Sequence, residues 1–569
     1  MMKSIIAKYA FCLVLAAGIL PASQARTVSE KTEGKKVLGL CWGFSAASPS
    51  VCLKHADRFA DAGFDGQLMQ VLTWKGGKRL EMHFNIWDTE WRYDDYRQEI
   101  PVLKKLTAHR AFRETFLSSL TAPSKRRIDW NGDDEIWSRT AANLRTAARI
   151  AREGGCRGLW MDTEDYRKKL QFKRVPGEMP LDELRRTVRT RAAQLFKGAF
   201  EEYPDMTLFS LWFLSLSPNW YASPYGDRDE HAIADGESDL WPAFVNGILD
   251  VLPESAWLVD GNENYWCDAD KNSFCRDRLW IKRGLRELVA PENKAKYDRQ
   301  MQVSTGLYLD MYVNGTNTVW RFPEKDGSRL ETFHRNYVQA IDAVDEYVWL
   351  YGEKLQFIKW DNSYPLQSGC VRTTWDEALN GIDDIVCAGK DADGFIRKRI
   401  AELKAAGKWR NLVANGACEA DDPGVVPKPF SVWQPPLKDG DAAKKGVFGV
   451  DSGFGDGDKS SLCAEGAAEG CFLVNVKDVT PGDYYLVKVS AAGVGIRTVV
   501  SWRDKAGKYT GRNFHLSFSP SEGMWRKGRL LVRAPMKAAR MTLTMNVELA
   551  EGEKAWFDNV EVYRMSLNK

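Results

Sequence analysis

From Lys36 to about residue 360, short apolar segments alternate with longer segments of helical period. This alternation limits the possible folds most strongly, because strands separated by helices pair in parallel and are covered by those helices. Eight apolar segments are each followed by a helical stretch: 37–42, 64–72, 115–120, 157–162, 206–214, 256–260, 303–311 and 347–351. Eight such units predict an α/β fold, a (β/α)8 or TIM barrel, with a doubly wound open sheet as the alternative.

The pattern changes near residue 409. Residues 375–408 form a last helical segment, and short alternating segments with Gly and Asp turns follow it. Short strands without long helices are typical of an all-β sandwich. The sequence therefore predicts a barrel domain over 36–408 and a β-sandwich over 409–566.

The first 25 residues have the pattern of a secretory signal peptide. Lys3 and Lys8 precede or border an apolar run over 11–20, and small residues lead to a cleavage position near Ala25. The run is short for a membrane-spanning helix, and no other run reaches about 18 apolar residues. We therefore expect a signal peptide over 1–25 and a secreted or periplasmic protein with no membrane span in its mature chain.

The composition excludes some functions. A net charge of +3 over 569 residues argues against a nucleic-acid partner. Six scattered histidines and the lack of a CxxC pair predict that catalysis uses no metal cofactor. Export allows disulfides, for which the closest pairs are Cys41/Cys52, Cys267/Cys275 and Cys463/Cys471. The oligomeric state stays open.

Acidic residues follow the predicted barrel strands at the points where the strands end. Asp162 and Glu164 follow the fourth strand, Asp260 and Glu263 the sixth, and Glu353 the eighth. The carboxyl ends of barrel strands form one rim. Glycoside hydrolysis needs two carboxyl groups there, one to protonate the leaving oxygen and one to attack or to activate water. We therefore predict that the catalytic groups are among these five.

Aromatic side chains at the same rim are expected to contact substrate, because flat rings stack on sugar faces. With Asp310 after the seventh strand, the predicted substrate contacts are Trp42, Trp74, Trp160, Trp220, Tyr221 and Trp266. Side-chain alternation turns Trp160, Asp162 and Glu164 to one side, which in a barrel places both acids at the mouth. Close acids push their pKa values apart, which suits separate acid and base roles.

The segment GLWMDTE (158–164) resembles two known barrel patterns. It is similar to the fourth-strand G-x-W-x-D of α-glucosidase-type retaining glycosidases, which implies that Asp162 is the nucleophile and Asp260 the acid/base. It also resembles the D-x-E of chitinase-type hydrolases, which implies that Glu164 is the acid and that Asp162 positions an acetamido group. The chitinase pattern has an earlier aspartate where this chain has Trp160. The resemblances therefore imply the glycoside hydrolase class and no particular family.

The region after residue 409 resembles the jelly-roll carbohydrate-binding modules, which open with an N-L-x-x-N-G-x-x-E-like strand and close with W-x-D-x-V-x-V. The matching residues are Asn411, Leu412, Asn415, Gly416 and Glu419 at one end and Trp556, Asp558, Val560 and Val562 at the other. The resemblance implies sugar binding and a structural Ca²⁺ with Glu419 and Asp558 as ligands. Calcium requires more oxygen ligands than these two carboxylates supply.

These observations predict a secreted glycoside hydrolase that acts on an oligo- or polysaccharide. The alternative is a non-catalytic glycan-binding protein that uses the barrel and the sandwich as binding platforms. The number of acids at the rim favours the enzyme, because sugar binding needs fewer buried carboxylates. A serine esterase is disfavoured because no G-x-S-x-G motif is present. A lyase that acts on uronic acids with a Tyr or His base stays open as well, and a modestly basic cleft would favour it.

Overall fold

The computed structural model describes residues 34–41, 49–76, 78–83, 85–217, 239–263, 273–318, 320–322, 328–359, 369–420, 422, 424–436 and 445–567. The predicted signal peptide, residues 1–25, lies outside the described residues. Within the described ranges, no helix has both the length and the apolar character needed to cross a membrane.

The N-terminal domain is built around one parallel sheet. Its strands are β1 (Lys36–Cys41), β2 (Gly66–Met69), β3 (Val71–Lys75), β4 (Lys78–Met82), β5 (Phe116–Thr121), β6 (Gly158–Asp162), β7 (Thr207–Ser210), β8 (Trp257–Asp260), β9 (Met301–Val303), β10 (Thr305–Tyr308) and β11 (Tyr347–Gly352). All except the antiparallel hairpin β3–β4 belong to the parallel sheet, in the order β10-β11-β1-β2-β5-β6-β7-β8-β9.

The parallel sheet is a nearly closed barrel. Its two outermost strands, β9 and β10, are separated in the chain by Ser304 alone. The Ser304 hydroxyl donates to the carbonyl oxygen of Tyr347 in β11 at 2.8 Å, which links the two ends of the sheet. Each apolar segment predicted as a strand overlaps a strand of this sheet, so the parallel α/β architecture is confirmed; the sheet has nine strands and is nearly closed.

Helices follow the barrel strands and cover the outside of the sheet. They are α1 (Pro49–Lys54), α2 (Ala56–Asp61), α3 (Tyr93–Tyr96), α4 (Ile100–Ala108), α5 (Asp134–Glu153), α6 (Leu181–Glu202), α7 (Trp241–Val251), α8 (Ser273–Leu279), α9 (Lys294–Gln300), α10 (Arg329–Ala343), α11 (Trp375–Ala378), α12 (Ile382–Lys390) and α13 (Ala392–Ala405). Helix α5 ends as its sequence predicts: Gly154 caps it, and Gly155 adopts a φ of +73° that turns the chain toward β6.

Side chains of the barrel strands alternate between two hydrophobic clusters. On β6, Leu159 and Met161 pack beneath the outer helices, whereas Trp160 belongs to the other cluster. The indole Nε1 of Trp160 donates to the carbonyl oxygen of Met69 in β2 at 3.0 Å, passing across β5. Trp160 therefore points into the barrel, and strand alternation turns Asp162 the same way.

The second domain contains two five-stranded antiparallel sheets, so the predicted change from α/β to antiparallel β-structure is confirmed. One sheet has the strand order β12-β15-β20-β17-β18 and the other has the order β13-β14-β21-β16-β19, and a common core fills the space between them. The strands are β12 (Ser431–Trp433), β13 (Val447–Asp451), β14 (Ser461–Glu465), β15 (Gly470–Lys477), β16 (Tyr484–Gly493), β17 (Ile496–Arg503), β18 (Phe514–Ser517), β19 (Ser521–Arg533), β20 (Arg540–Val547) and β21 (Lys554–Arg564).

The two domains pack directly against each other. Tyr484 of β16 belongs to the same hydrophobic cluster as the barrel interior, and its ring centroid lies 5.5 Å from that of Phe395 in α13. Arg533, the last residue of β19, is buried and forms an ion pair with the half-buried Glu331 of α10. The interface therefore combines an apolar core with a partly buried pair of charges.

Cys463 and Cys471, which are close in sequence, are not bonded to each other. Both residues are free thiols. The chain carries them into different sheets, where Cys463 lies opposite Trp556 and Cys471 lies opposite Asn546. The other two pairs that are close in sequence each include a side chain outside the described residues: Cys41/Cys52 and Cys267/Cys275.

Candidate functional site

A pocket opens at the carboxyl ends of the barrel strands. It encloses about 360 Å³, including space that is continuous with solvent. The described residues that line it are Leu40, Gln70, His83, Trp160, Asp162, Tyr166, Leu211, Glu263 and Tyr351. Three candidates from the sequence, Trp160, Asp162 and Glu263, thus face one cavity.

Asp162, the last residue of β6, is buried in this pocket with 5% of its surface exposed. The backbone N–H of Glu164 donates to its Oδ1 at 3.0 Å, and the Tyr166 hydroxyl donates to its Oδ2 at 3.2 Å. Burial, reinforced by the charge of Glu164, outweighs these hydrogen bonds and raises the pKa of Asp162 to about 7. Asp162 can therefore hold a proton near neutral pH, as a general acid must.

Glu164 and Glu353 interact although they follow different strands, β6 and β11. Glu164 is half-buried. Burial raises the pKa of Glu164, and the negative charge of Glu353 raises it further. A hydrogen bond from Tyr166 has the opposite effect but is outweighed. These two carboxyl groups are therefore coupled across the end of the barrel.

Glu353 is held in place by two tyrosines. The hydroxyl of Tyr308 donates to its Oε2 at 2.7 Å, and the hydroxyl of Tyr351 donates to its Oε1 at 2.8 Å. The two tyrosine rings stack with centroids 5.1 Å apart. The backbone N–H of Glu353 donates to Asp310 Oδ2 at 2.7 Å, and burial followed by the charge of Glu353 raises the pKa of Asp310 to about 6.

Asp260, the last residue of β8, is fully buried and is not among the residues that line the pocket. Its Oδ1 accepts the Ser215 hydroxyl and the N–H of Asn262, and its Oδ2 accepts the Ser215 N–H at 3.0 Å. Burial raises its pKa despite these bonds. Asp260 thus ties the segment after β7 to β8, while Glu263, three residues later, reaches the pocket.

The pocket wall also contains His83, which the sequence places in the loop after the second predicted strand as a candidate substrate contact. His83 follows β4 and contacts the Ser118 hydroxyl through Nδ1, and burial lowers its pKa to about 3, so its imidazole is neutral. Tyr166 and Tyr351 also line the pocket, and the sequence pattern did not indicate them. The available signal was proximity in sequence, since Tyr166 comes four residues after Asp162 and Tyr351 precedes Glu353 by two.

Some of the predicted substrate contacts cannot be placed in this pocket. Trp42, Trp220, Tyr221 and Trp266 lie outside the described residues. Trp74 belongs to β3, but its side chain lies outside the described part of the chain as well. The roles of these five aromatic residues therefore stay predictions. Asp310 is not among the residues that line the pocket, and it accepts a hydrogen bond from the backbone N–H of Glu353.

Glu419 and Asp558, the two residues predicted to bind calcium, differ in their burial, and the calcium site stays a prediction. Asp558 is fully buried, and its oxygens accept the backbone N–H groups of Asp456 at 2.8 Å and Asn559 at 2.6 Å. Glu419 is exposed. In the part of the chain that the structure describes, no group of three or more His, Cys, Asp or Glu side chains is placed to hold a metal ion.

No protein-family model and no curated protein matches the chain. Among solved structures, the enzymatically active domain of tailspike protein 4 from bacteriophage CBA120 is 17% identical with a TM-score of 0.23, covering 27% of this chain and 21% of that one. TmCBM61, in complex with β-1,4-galactotriose, is 17% identical with a TM-score of 0.20, covering 27% and 99%.

A third similar structure contains the CBM22-1–GH10 modules of endo-1,4-β-D-xylanase 10B from Clostridium thermocellum, complexed with xylohexaose. It is 12% identical with a TM-score of 0.20, and the match covers 28% of each chain. TM-scores this low establish neither a common fold nor a common function.

Proposed function

We propose that this chain is a secreted glycoside hydrolase that cleaves the O-glycosidic bonds of an oligo- or polysaccharide. In this proposal the catalytic domain is a (β/α)8 barrel over 36–408, and the domain over 409–566 is a carbohydrate-binding jelly-roll sandwich. The observation that carries the proposal is the pocket at the end of the barrel, in which Asp162 and Glu263 lie among aromatic and uncharged polar side chains.

Asp162 is the proposed general acid. Its pKa of about 7 keeps it protonated below neutral pH, so it can give a proton to the leaving oxygen. Glu263 is the proposed carboxylate that attacks the anomeric carbon or activates a water molecule. Trp160 supplies a flat apolar wall against which a sugar face can pack.

The other acids have supporting roles in this proposal. Glu164 and Glu353 form the coupled pair beside the pocket and orient the substrate, and Glu353 is fixed for this by its two tyrosine partners. Asp260 is a positioning residue, because its hydrogen bonds to Ser215 hold the segment after β7.

The proposal is tested with Asp162→Asn, Glu164→Gln, Glu263→Gln and Glu353→Gln on a panel of aryl glycosides and polysaccharides. We expect the wild type to release reducing sugar from at least one glycan. D162N and E263Q should lose at least about 10²-fold in kcat/KM, the usual contribution of a general acid or base.

Glu90→Gln is the matched control. Glu90 ends a second D-T-E sequence, 88–90, yet it is exposed and forms a surface ion pair with Arg92 at 3.1 Å. E90Q should therefore keep wild-type activity. Full activity in all four acid variants would contradict the site assignment. Glycan binding without cleavage by the wild type would instead favour the non-catalytic glycan-binding protein.

A further inference from the structure

The described wall of the pocket is negatively charged or neutral throughout. Asp162 and Glu263 line it, and none of its described lining residues is a lysine or an arginine. The histidine in the wall, His83, stays neutral because burial lowers its pKa to about 3. The coupled carboxyl groups of Glu164 and Glu353 add further negative charge at the same end of the barrel.

One lysine beside these acids, Lys354, is engaged by a neighbouring amide. Lys354 follows Glu353 in the chain, but its Nζ donates to Asn314 Oδ1 at 2.6 Å. The described lining of the pocket therefore contains two acidic side chains and no lysine or arginine.

We propose that this pocket accepts an uncharged or positively charged sugar ring and rejects anionic sugars such as uronates. The proposal rests on the proposed function, because it assigns the substrate class of the same site. Carboxylates accept hydrogen bonds from sugar hydroxyls, and Gln70, His83 and Tyr166 add neutral polar groups to the wall. A uronate would lose its hydration beside like charges, with no cation in the described wall to replace the water.

This charge pattern also bears on the reaction class. A lyase that abstracts a proton from a uronic acid needs positive charge near the substrate carboxylate. The described lining supplies carboxyl groups where such an enzyme would need a cation. The pocket therefore suits acid-assisted cleavage of a neutral glycoside better than elimination from a uronide.

The experiment is calorimetric titration of the full-length protein at pH 7 and low salt. The probes are the methyl α- and β-glycosides of glucose, galactose and mannose, each paired with the corresponding methyl uronide. We expect at least one neutral glycoside to bind and its uronide to bind at least about tenfold more weakly, equivalent to about 1.4 kcal/mol. Added salt should narrow the difference, because it screens repulsion.

Two variants test whether the difference in affinity between a neutral glycoside and its uronide depends on a charge in the pocket wall. Glu263→Gln removes one negative charge from the wall and should reduce the difference between the paired ligands. Glu183→Gln removes an exposed charge from helix α6 and should leave the difference unchanged. A uronide that binds as tightly as its neutral partner overturns the proposal, and so does a failure of every neutral glycoside to bind.

The titration needs no turnover, so its failure is distinct from failure of the proposed function. Selective binding of a neutral glycoside by a protein that cleaves no glycan would support the substrate class and contradict the hydrolase. Cleavage of a glycan together with equal binding of uronides would support the hydrolase and contradict the substrate class.

Discussion

The hydroxyl of Tyr166 lies 3.2 Å from Oδ2 of Asp162, four residues earlier in the chain. This hydrogen bond brings the segment after β6 back to the carboxyl group that ends its own strand, although Tyr166 itself is 52% exposed. The hydrogen bond lowers the pKa of Asp162, while burial raises it by more. Tyr166 is therefore a positioning residue that lowers the pH at which Asp162 releases its proton.

Tyr166→Phe is expected to move the alkaline limb of the pH profile of kcat/KM to higher pH. Loss of one hydrogen bond worth about 1 kcal/mol raises the pKa of Asp162 by roughly half a unit to one unit. Because a general acid must be protonated, activity should persist to higher pH. Tyr93→Phe is the control, since Tyr93 donates to Glu153 at 2.5 Å away from the pocket. A slower Y166F enzyme with an unmoved limb would mean a purely structural role.

The substitution Asp162→Asn is expected to raise the free energy of unfolding at pH 8, and it is expected to abolish catalytic activity. The pKa is about 7 in the folded protein and about 3.9 in an unfolded chain, so the unfolded state binds fewer protons between these values. The free energy of unfolding therefore falls as pH rises from 4 to 7, by about 4 kcal/mol at most. Asparagine has no proton to lose. Thermal unfolding at pH 4 and pH 8 checks this, and an equal Tm difference at both values would contradict it.

The strands and the orientation of Asp162 could be predicted because they depend on local pattern. Period-two alternation places Trp160 and Asp162 on one side of β6, and the helix-strand alternation made that side the interior of a barrel. The Gly154–Gly155 pair likewise marked the end of α5. These features follow from residues within a few positions of one another.

The roles of the partner acids could not be predicted because they depend on contacts distant in sequence. Asp260 is tied to Ser215, 45 residues away, and this contact distinguishes it from Glu263. Glu353 is fixed partly by Tyr308, also 45 residues away. A strand-end carboxylate has the same local pattern whether it faces the pocket or is enclosed behind it, so only the packed structure separates the two.

Tyr308→Phe and Tyr351→Phe are each expected to lower kcat/KM by about 10- to 100-fold. Each removes one hydroxyl that holds an oxygen of Glu353, and hydrogen bonds to charged groups contribute about 1.5–3 kcal/mol. The stacked rings remain, so Tm should change little. If Glu353 orients the substrate, the loss should appear in KM at least as much as in kcat. Steady-state kinetics measures this division, and unchanged values in both variants would remove Glu353 from the site.

Arg533→Ala is expected to lower the Tm of the whole protein in a single transition. Arg533 is buried at the domain interface, where it pairs with Glu331, whose pKa is lowered because a hydrogen bond from His334 and the charge of Arg533 outweigh burial. Removing the arginine leaves the half-buried Glu331 carboxylate with His334 but without this partner, so the loss should stay below the cost of about 3–5 kcal/mol for breaking a fully buried pair. A second substitution, Glu331→Gln, should recover part of that loss because it removes the isolated charge.

Arg529→Ala is the control for this interface. Arg529 pairs with Asp393 of α13 at 2.8 Å, but both side chains are more than half exposed, so the loss should stay below about 1 kcal/mol. Differential scanning calorimetry distinguishes the possible results. We expect one cooperative transition, because the domains share the hydrophobic cluster around Tyr484. Its Tm should fall clearly in R533A and change little in R529A. Two separate transitions in the wild type would mean that the sandwich unfolds independently of the barrel.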